Sequence, residues 1–519
     1  MSASAGDLGE PPLEAARRRW LLGGAFIIAA SGLAYELIAG AAASYLLGDS
    51  VTQYSLVIGV FMAAMGLGAW AARHVTDAAW TFCAAQTALA LIGGASGALF
   101  YVAWLHVEPF QAVLFGAVIA TGALSGLEIP LLVRLLGERG AGTHALSNVL
   151  TLDYAGALLT AAAFPLLIAP QLGLVSAGFL FGLLNACVGA AAVAILEPKG
   201  RRALLAALSA ITLALGAGLV LSERVVRAAE AGLYADEVVH AETTRHQRIV
   251  LTRYRDRTRL FLDGAIQFDS RDEHRYHEAL AHPALTRALR LRHVLILGGG
   301  DGMAAREALR YAEVETVTLV DLDPAVTALF SDGPLAALNG GALRDPRLEI
   351  VHADAWRWTA DQPPARYDVI LVDLPDPKTL ALSKLYSRAF YTRLGELLAP
   401  GGAIAVQAGA PFYAREAYWS VIATLEASRD PFAAQGGLAV APYAAWVPSF
   451  GLWGFALAGP AALAEPRRAP PEALSMYSDA QWAAMTHFPS DVDRLPVAHN
   501  SVLSHALLRY YREGWARIR

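Results

Sequence analysis

The sequence predicts a multi-pass α-helical membrane domain followed by an α/β doubly wound, Rossmann-like domain with a small N-terminal β-hairpin or sheet. Two observations support this prediction. Of the 519 residues, 55% are hydrophobic and 17% are charged, which is too apolar for a soluble enzyme of this size. Charged residues are sparse between Trp20 and Ser222, whereas short apolar strands alternate with helical stretches in the second half, as in a parallel sheet.

The first part of the chain contains apolar segments long enough to cross a membrane, for which about 20 residues are needed. We predict about seven transmembrane helices, near 20–47, 52–72, 79–104, 110–133, 147–168, 172–195 and 203–222. The first segment is too long for a plain signal peptide and lacks a cleavage site. Small residues are abundant in these segments and allow close helix packing in a bilayer.

The distribution of basic residues predicts the orientation of these helices. If every segment crosses, one side carries Arg17–Arg19, Arg73, Arg134, Arg139, Lys199, Arg201 and Arg202, and the opposite loops carry Asp49 and Glu108. The positive-inside rule therefore makes residues 1–19 a cytoplasmic N-terminal tail. Seven crossings would then place the second part of the chain outside the cytoplasm.

Three acidic residues, Glu36, Glu128 and Asp153, interrupt the apolar segments. A carboxylate within a membrane is costly and is by default a functional hypothesis. Two interpretations are open. Either each carboxylate lies near a helix end or pairs inside the bundle, or they line a polar cavity that admits a cationic solute.

The second part of the chain begins after a predicted linker at 223–240. Residues 248–263 alternate apolar and polar side chains and predict a β-hairpin, and 272–291 are predicted to be helical. Five short apolar strands follow, at 293–299, 316–323, 347–354, 367–374 and 402–409. Ligands bind such a sheet at the carboxyl ends of its strands.

Acidic residues stand at these strand ends. Asp301 lies in the glycine-rich turn GGGDG after the first strand, and Asp321 ends the second strand. Asp354 ends the third strand, and Asp373 and Asp376 follow the fourth. A carboxylate after the second strand can accept hydrogen bonds from the ribose hydroxyls, and one after the third can accept from an adenine amino group. The pattern predicts a nucleoside site.

The glycine turn differs from that of dinucleotide-binding domains. Asp301 stands where a pyrophosphate would otherwise lie and would repel it, so NAD and FAD are not expected. A cationic nucleoside of the S-adenosylmethionine type suits this carboxylate. The domain is therefore expected to be of the class I methyltransferase type.

Seven motifs occur together in this part of the chain. They are HQRIVL (246–251), LFLDGAIQFDSRDEHRYHEALAHPAL (260–285), LGGGDG (297–302), LVDLDP (319–324), HADA (352–355), YDVILVDLPDP (367–377) and VQAG (406–409). The region of about 240–460 that contains them resembles the spermidine/spermine synthases, or polyamine aminopropyltransferases, in a membrane-bound multi-pass variant. The run LDG-x-IQ followed by RDE-x-x-YHE is the most specific part, because generic methyltransferases lack it.

The resemblance implies transfer of an aminopropyl group from decarboxylated S-adenosylmethionine, a co-substrate, to an amine. Putrescine is the default acceptor, giving spermidine and methylthioadenosine, and neither a metal nor another cofactor is implied. Asp373 would be the catalytic base. The implied donor-binding residues are Gln247, His277, Asp301, Asp321, Asp354 and Ala355, and the implied acceptor-binding residues are Tyr276, Asp373 and Asp376. Asp301 would bind the propylammonium of the donor and reject S-adenosylmethionine, whose carboxylate would meet a like charge.

The sequence departs from the family's pattern at several positions. Met303 and Ala355 replace glycines, and DLPDP (373–377) replaces DSSDP, so the donor site is better supported than the acceptor site. The late tyrosine of the acceptor site has three possible counterparts, Tyr443, Trp446 and Phe450.

Structural interpretations stand beside the functional ones. Asp373 and Asp376 could cap a turn, and His277 could be a structural histidine. Asp263 and Gln267 are either ligands or hairpin residues. Gln407 either orients the catalytic group or only ends a strand.

The predicted organisation is an N-terminal tail (1–19), a transmembrane domain (20–222), a linker (223–240), a small β-strand subdomain (241–290), a Rossmann-like domain (291–460) and a helical tail (461–519). The tail is expected to pack on the enzyme domain or to rest at the membrane interface.

Two other functions stay open: an S-adenosylmethionine-dependent methyltransferase, and a non-catalytic polyamine sensor or transporter with a synthase-like domain. The net charge of −5 does not suggest a nucleic-acid partner. We expect a homodimer in the bacterial inner membrane that contacts lipid and a small polyamine substrate. Because the donor is a cytosolic metabolite, we expect a cytoplasmic enzyme domain, which conflicts with the pattern of basic residues.

Overall fold

The computed structural model describes residues 12–47, 50–137, 145–431, 437–460, 462 and 464–517. The chain divides into two compact units, Met1–Glu237 and Val238–Arg519. We call them the helical unit and the enzyme unit. Two residues used in the topology prediction, Asp49 and Arg139, and most of the predicted N-terminal tail lie outside the described residues.

The helical unit is built from long helices. They are α1 (Pro12–Leu47), α2 (Ser50–Ala72), α3 (Ala78–His106), α4 (Phe110–Gly137), α5 (Ala145–Ala163), α6 (Ala169–Leu196) and α7 (Arg201–Leu233). Six helical stretches of the described chain are long and apolar enough to cross a membrane, and the longest is Leu146–Leu196. This stretch contains a π-helical turn, Phe164–Ile168, and is broken at Gly173, where φ is 73° and ψ is 168°.

The break at Gly173 reverses the chain. Val149, near the start of α5, shares a hydrophobic cluster with Val193 near the end of α6. Phe164, after the end of α5, shares another cluster with Ala177 near the start of α6. The two helices are therefore antiparallel, and the longest stretch is long enough to cross a membrane twice. This gives seven candidate crossings among the described helices.

Helix α7 extends beyond the apolar segment 203–222. It continues to Leu233, and strand β1 (Glu237–Thr243) begins four residues later. Most of the predicted linker at 223–240 is therefore regular structure. The sequence between Glu223 and Ala231 contains neither proline nor glycine, so nothing in it interrupts the helix.

The enzyme unit starts with a four-stranded sheet in the order β1-β2-β3-β4. Its other strands are β2 (Arg248–Tyr254), β3 (Arg257–Leu262) and β4 (Ala265–Asp269). Antiparallel pairing of β2 with β3 confirms the predicted hairpin. Asp263 lies in the β3–β4 turn at a φ of 49°, and its side chain accepts a hydrogen bond from the Arg248 amide.

A seven-stranded sheet forms the centre of the enzyme unit. Its elements, with the helices between them, are α8 (Glu273–Arg287), β5 (His293–Gly298), α9 (Met303–Leu309), β6 (Thr316–Asp321), α10 (Pro324–Ser331), β7 (Leu348–His352), α11 (Ala355–Trp358), β8 (Tyr367–Asp373), α12 (Leu380–Ser383), α13 (Arg388–Leu397), β9 (Leu398–Gly409), α14 (Arg415–Glu426), β10 (Val440–Val447), β11 (Gly451–Ala458), α15 (Asp479–Met485) and α16 (Ala506–Ala516). The strand order is β10-β11-β9-β8-β5-β6-β7.

The five predicted strands β5 to β9 pair in parallel and form the doubly wound core. Their middle residues, such as Leu295, Ile370 and Ala405, are fully buried, as expected where helices cover both faces. The sheet is mixed because β10 and β11 add an antiparallel hairpin at one edge. This hairpin was not among the predicted strands, and its segment contains the three possible acceptor-site aromatics.

The strand order determines where a ligand can bind. The chain enters the sheet at β5 and winds outward on one side to β6 and β7, then returns to β8 on the other side of β5. The carboxyl ends of β5, β6 and β8 therefore meet at a topological switch point, where open α/β sheets form a crevice. Asp301, Asp321 and Asp373 all lie at this edge.

Candidate active site

The glycine turn after β5 is braced by the aspartate at the end of β6. Asp321 Oδ2 accepts a hydrogen bond from the Gly300 amide at 3.0 Å, and Oδ1 accepts from the Asp323 amide at 2.9 Å. A Cβ atom on Gly300 would lie 2.8 Å from the Asp321 carboxyl carbon, so a side chain at this position would displace the carboxylate. Burial raises the pKa of Asp321.

Asp301 lies in the glycine turn, where the charges of His277 and Asp373 act on its carboxyl group. Its Oδ1 accepts a hydrogen bond from the Met303 amide at 3.0 Å. Burial, reinforced by the charge of Asp373 and opposed by that of His277, raises the pKa of Asp301 to about 6. The charges of His277 and Asp373 therefore both act on Asp301.

His277 is held by an ion pair on its own helix. Its Nδ1 lies 2.8 Å from Glu273 Oε2, and Arg306 binds both carboxylate oxygens of Glu273, at 2.9 and 3.0 Å. Burial alone would lower the pKa of His277, but the Glu273 carboxylate outweighs it and raises the pKa to about 9. Burial opposes the shift of Glu273 too, yet His277 and Arg306 lower its pKa to about 2. His277 thus has a structural partner while its charge reaches Asp301 and Asp373.

Asp373 ends β8 directly beside the glycine turn, where it is the register partner of Gly298. The Tyr276 hydroxyl donates a hydrogen bond to Asp373 Oδ1 at 2.7 Å. A Cβ atom on Gly299 would lie 3.1 Å from the other oxygen, Oδ2. Gly299 has a φ of 68°, so a glycine suits this position for its backbone as well as for its small size. The pairing brings the predicted base, Asp373, next to the predicted acceptor residue, Tyr276.

Two side chains hold the turn from Asp373 to Asp376 through hydrogen bonds to its backbone. Gln407 Nε2 donates to the Leu374 carbonyl at 2.6 Å, and the Tyr386 hydroxyl donates to the same carbonyl at 2.9 Å. Of the two roles open for Gln407 from the sequence, its contact fits the first, because Gln407 positions the segment that carries both carboxylates.

Asp376 contacts a residue that the sequence analysis did not select. The Tyr511 hydroxyl, on α16, donates to Asp376 Oδ2 at 3.0 Å. Burial raises the pKa of Asp376, and the hydrogen bond from Tyr511 opposes this shift. The C-terminal tail packs on the enzyme unit, since a Cβ atom on Gly514 of α16 would lie 2.7 Å from the Ala414 Cα. Tyr511 is 135 residues from Asp376 along the chain, and no local pattern marks it.

Asp354 has two contacts at the end of β7. Its Oδ1 accepts from the Trp356 amide at 2.9 Å and caps α11. Its Oδ2 lies 3.2 Å from Lys384 Nζ. Ala355, the first residue of α11, is buried. The cap and the ion pair fix Asp354 at the sheet edge.

The structure places Gln247 differently from the other predicted donor residues. Its Nε2 donates to Asp323 Oδ2 at 3.1 Å, and the Thr244 hydroxyl donates to the same oxygen at 2.7 Å. Gln247 thus joins the four-stranded sheet to the end of β6. It reaches the neighbourhood of Asp321 through Asp323 rather than directly.

Of the three possible acceptor-site aromatics, Phe450 is the one next to Tyr276, with ring centroids 5.9 Å apart. The Tyr443 ring is fully buried, and its hydroxyl donates to the Ala279 carbonyl at 3.0 Å. Trp446 is 59% exposed. Gln267 is a separate case, because its Nε2 donates to the Ala265 carbonyl of its own hairpin at 3.1 Å. Of the three, Phe450 is therefore the one that lies beside the predicted acceptor residue Tyr276.

The fold and the acidic strand ends define a Rossmann-like transferase domain with carboxylates at the ligand-binding edge of its sheet. A family model described as the spermine/spermidine synthase domain matches residues 273–463. Polyamine aminopropyltransferase 2 of Ralstonia nicotianae is 44% identical over 508 residues, which is 94% of this chain and 97% of the relative. The polyamine aminopropyltransferase of Leptospira interrogans is 40% identical over 496 residues, covering 95% and 98% of the two chains.

These relatives align with the helical unit as well as the enzyme unit, because the matched length exceeds nine-tenths of each chain. The protein belongs to the polyamine aminopropyltransferase family. It is an enzyme of the spermidine synthase type that transfers aminopropyl groups.

Proposed function

We propose that the enzyme unit moves an aminopropyl group from decarboxylated S-adenosylmethionine to a primary amine, with putrescine as the default acceptor and spermidine and methylthioadenosine as products. One observation carries the proposal: Asp373, at the end of β8, lies against the glycine turn that carries Asp301, since it is the register partner of Gly298 and its charge acts on Asp301. A crevice with two such carboxylates suits one cation on the donor and one on the acceptor.

The donor would lie along the ends of β5, β6 and β7. Asp321, already oriented by the Gly300 and Asp323 amides, would accept from the ribose hydroxyls, and Asp354 from the adenine amino group. Asp301 would bind the propylammonium. A donor ammonium would favour the charged form of Asp301, whereas the carboxylate of S-adenosylmethionine would meet a like charge at this point.

The transfer step needs a neutral nitrogen. Asp373 would take one proton from the acceptor ammonium, and the nitrogen lone pair would attack the propyl carbon beside sulfur. A carbon–nitrogen bond forms, the carbon–sulfur bond breaks, and its electron pair stays on sulfur in methylthioadenosine. The Tyr276 hydroxyl, 2.7 Å from Asp373 Oδ1, holds the carboxylate in position. Positioning and proton transfer account for the rate in such a step.

The far end of the acceptor would bind Asp376. The Tyr511 hydroxyl donates to this carboxylate, and Gln407 and Tyr386 fix its turn. An acceptor with a second ammonium would therefore extend from Asp373 towards α16.

The test is an assay of the purified full-length protein with decarboxylated S-adenosylmethionine and with S-adenosylmethionine, each with a panel of mono-, di- and triamines. Formation of methylthioadenosine and spermidine from the first donor and putrescine is the expected result. S-adenosylhomocysteine would identify a methyltransferase, and amine binding without turnover would identify a sensor or transporter. Either result would overturn the proposal.

We also propose that the helical unit embeds the protein in the cell membrane with the enzyme unit on the cytoplasmic side, where the donor is made. The positive-inside rule predicts the opposite orientation. It places Arg73, Arg134 and Arg201 in the cytoplasm, and after seven crossings α7 would end on the other side. Fusions of a fluorescent reporter and of alkaline phosphatase after Arg519 test on which side of the membrane the enzyme unit lies. Fluorescence is expected, and phosphatase activity would show that the basic residues, not the donor supply, determine the orientation.

A further inference from the structure

Four helices of the helical unit bring polar side chains to one buried place. Gln86 of α3 donates from Nε2 to Oε1 of Glu128 of α4 at 2.6 Å. Ser125 of α4, Tyr35 of α1 and Asn185 of α6 come from nearby turns of the packed helices, and all five residues are less than one-tenth exposed. We call these five residues the Glu128 cluster.

Close helix packing brings together the helix turns that carry these side chains. A Cβ atom on Gly32, one turn from Tyr35, would lie 3.4 Å from the Ser125 hydroxyl oxygen. A Cβ atom on Gly189, one turn from Asn185, would lie 3.4 Å from the Gln86 Cβ. The Tyr35 hydroxyl is within electrostatic range of the Glu128 carboxylate.

The cluster is rich in oxygen atoms that lack a partner. Within the described part of the chain, no hydrogen bond reaches Tyr35 Oη, Gln86 Oε1, Ser125 Oγ or Asn185 Oδ1. Each such buried atom costs about 1–3 kcal/mol, and a bundle that serves only as an anchor would have apolar residues there. Unpaired oxygen atoms near a carboxylate would suit a cation that donates hydrogen bonds.

We propose that the Glu128 cluster is a second amine site, which binds a primary ammonium group inside the helical unit. An ammonium offers one positive charge and three N–H donors, matching one carboxylate and several neutral oxygens. A divalent metal ion would prefer more carboxylates. Asp153 of α5 lies within electrostatic range of Glu128 and gives the second ammonium of a diamine a counter-charge. The choice of an amine rather than a sodium ion as the ligand rests on the proposed function. The description of the oxygen-rich cluster does not depend on that function.

The experiment counts putrescine sites on the full-length protein in lipid nanodiscs by equilibrium dialysis with labelled putrescine. Two sites per chain are expected for the wild type, and one for Glu128→Gln, which keeps the shape of the side chain and removes its charge. Glu108→Gln changes an exposed carboxylate of the same unit and should retain two sites. Glu128→Gln should keep transferase turnover in detergent within about twofold, since the Glu128 cluster lies outside the enzyme unit.

A second variant distinguishes loss of the site from misfolding of the protein. Asn185→Ala should elute normally from size exclusion and weaken the second site about tenfold, as expected for one lost hydrogen bond to a charged group. Asp376→Asn should remove only the other site. One putrescine site in the wild type, or two sites in Glu128→Gln, overturns the inference, as does a second site that sodium chloride abolishes while potassium chloride does not. If no methylthioadenosine forms but a Glu128-dependent site persists, the proposed function fails and this inference stands.

Discussion

The hydroxyl of Tyr276 donates a hydrogen bond to Oδ1 of Asp373 at 2.7 Å. Tyr276 comes from α8, before the parallel sheet, and Asp373 from the end of β8, 97 residues later. The contact therefore ties the helix that follows the small sheet to the edge of the large sheet where its parallel strands end. The second oxygen of Asp373 lies beside Gly299 of the glycine turn.

Replacement of Asp373 by Asn should lower kcat by about 10²–10⁴-fold, because the acceptor ammonium then has no base. Tyr276→Phe should cost less, since it loses only the hydrogen bond that orients the base. The measurement is methylthioadenosine release under saturating donor and putrescine. Asp361→Asn, at an exposed carboxylate, is the matched control and should be neutral. Activity of Asp373→Asn close to that of the wild type would remove Asp373 from the mechanism.

Asp301→Asn should change which nucleoside binds. The neutral amide loses the ion pair with the donor's propylammonium and no longer repels the carboxylate of S-adenosylmethionine. We expect the KM for the decarboxylated donor to rise about 10–100-fold, equivalent to the loss of a hydrogen bond to a charged group, and S-adenosylmethionine to bind more tightly than to the wild type. Calorimetric titration with both nucleosides measures the change. Unchanged discrimination would place the selecting group elsewhere.

The acid limb of the pH profile should report Asp301. Its pKa is raised to about 6 by burial and by the charge of Asp373, so the group is protonated below that pH and loses its hold on the donor. The donor KM should therefore rise as the pH falls below about 6. The same profile recorded for Asp301→Asn should be flat in this range, and a persistent acid limb would assign it to another carboxylate.

The ion pair of His277 and Glu273 should make stability depend on pH. The pKa of His277 is raised from 6.5 to about 9, so its contribution is complete below pH 6.5 and disappears as the pH rises through about 9. The pKa of Glu273 is lowered from 4.5 to about 2, so its share is present above pH 4.5. We expect the free energy of unfolding lost in His277→Gln to shrink by an amount on the order of 2 kcal/mol between pH 6 and pH 10.

Thermal unfolding of both proteins in detergent, followed by tryptophan fluorescence, gives this difference at each pH. The pH-independent part reports the packing of the buried ring. A gap between wild type and His277→Gln that stays constant across the range would mean that His277 is neutral in the folded protein.

The sheet and the acidic strand ends were predictable because they follow from local periodicity and from one geometric rule. Parallel strands end at a common edge, so residues such as Asp301 and Asp321 had to lie close together. Side-chain partners from distant segments were not predictable in this way. Lys384 reaches Asp354, and Gln247 binds Asp323, through long-range packing that no spacing in the sequence encodes.

The edge hairpin illustrates the same limit. Strands β10 and β11 are joined by a short Pro–Ser–Phe turn, and their aromatic residues read equally well as ligand contacts or as core. Only the pairing of β11 with β9 decides that Tyr443 is buried in the core while Phe450 lies beside Tyr276.

Tyr511→Phe should weaken binding of the acceptor without changing binding of the donor. The variant loses the hydroxyl that donates to Asp376 at 3.0 Å and keeps the ring that packs near Trp515. A hydrogen bond to a charged group is worth about 1.5–3 kcal/mol, so the KM for putrescine should rise about 10–100-fold while the KM for the donor stays unchanged. Tyr510→Phe is the matched control, because its hydroxyl contacts only the exposed Ala498 amide among the hydrogen bonds described for it. Equal effects of the two variants, or a rise in the donor KM, would mean that α16 supports the fold generally, whereas an effect confined to the acceptor and to Tyr511 makes the C-terminal helix part of the acceptor site.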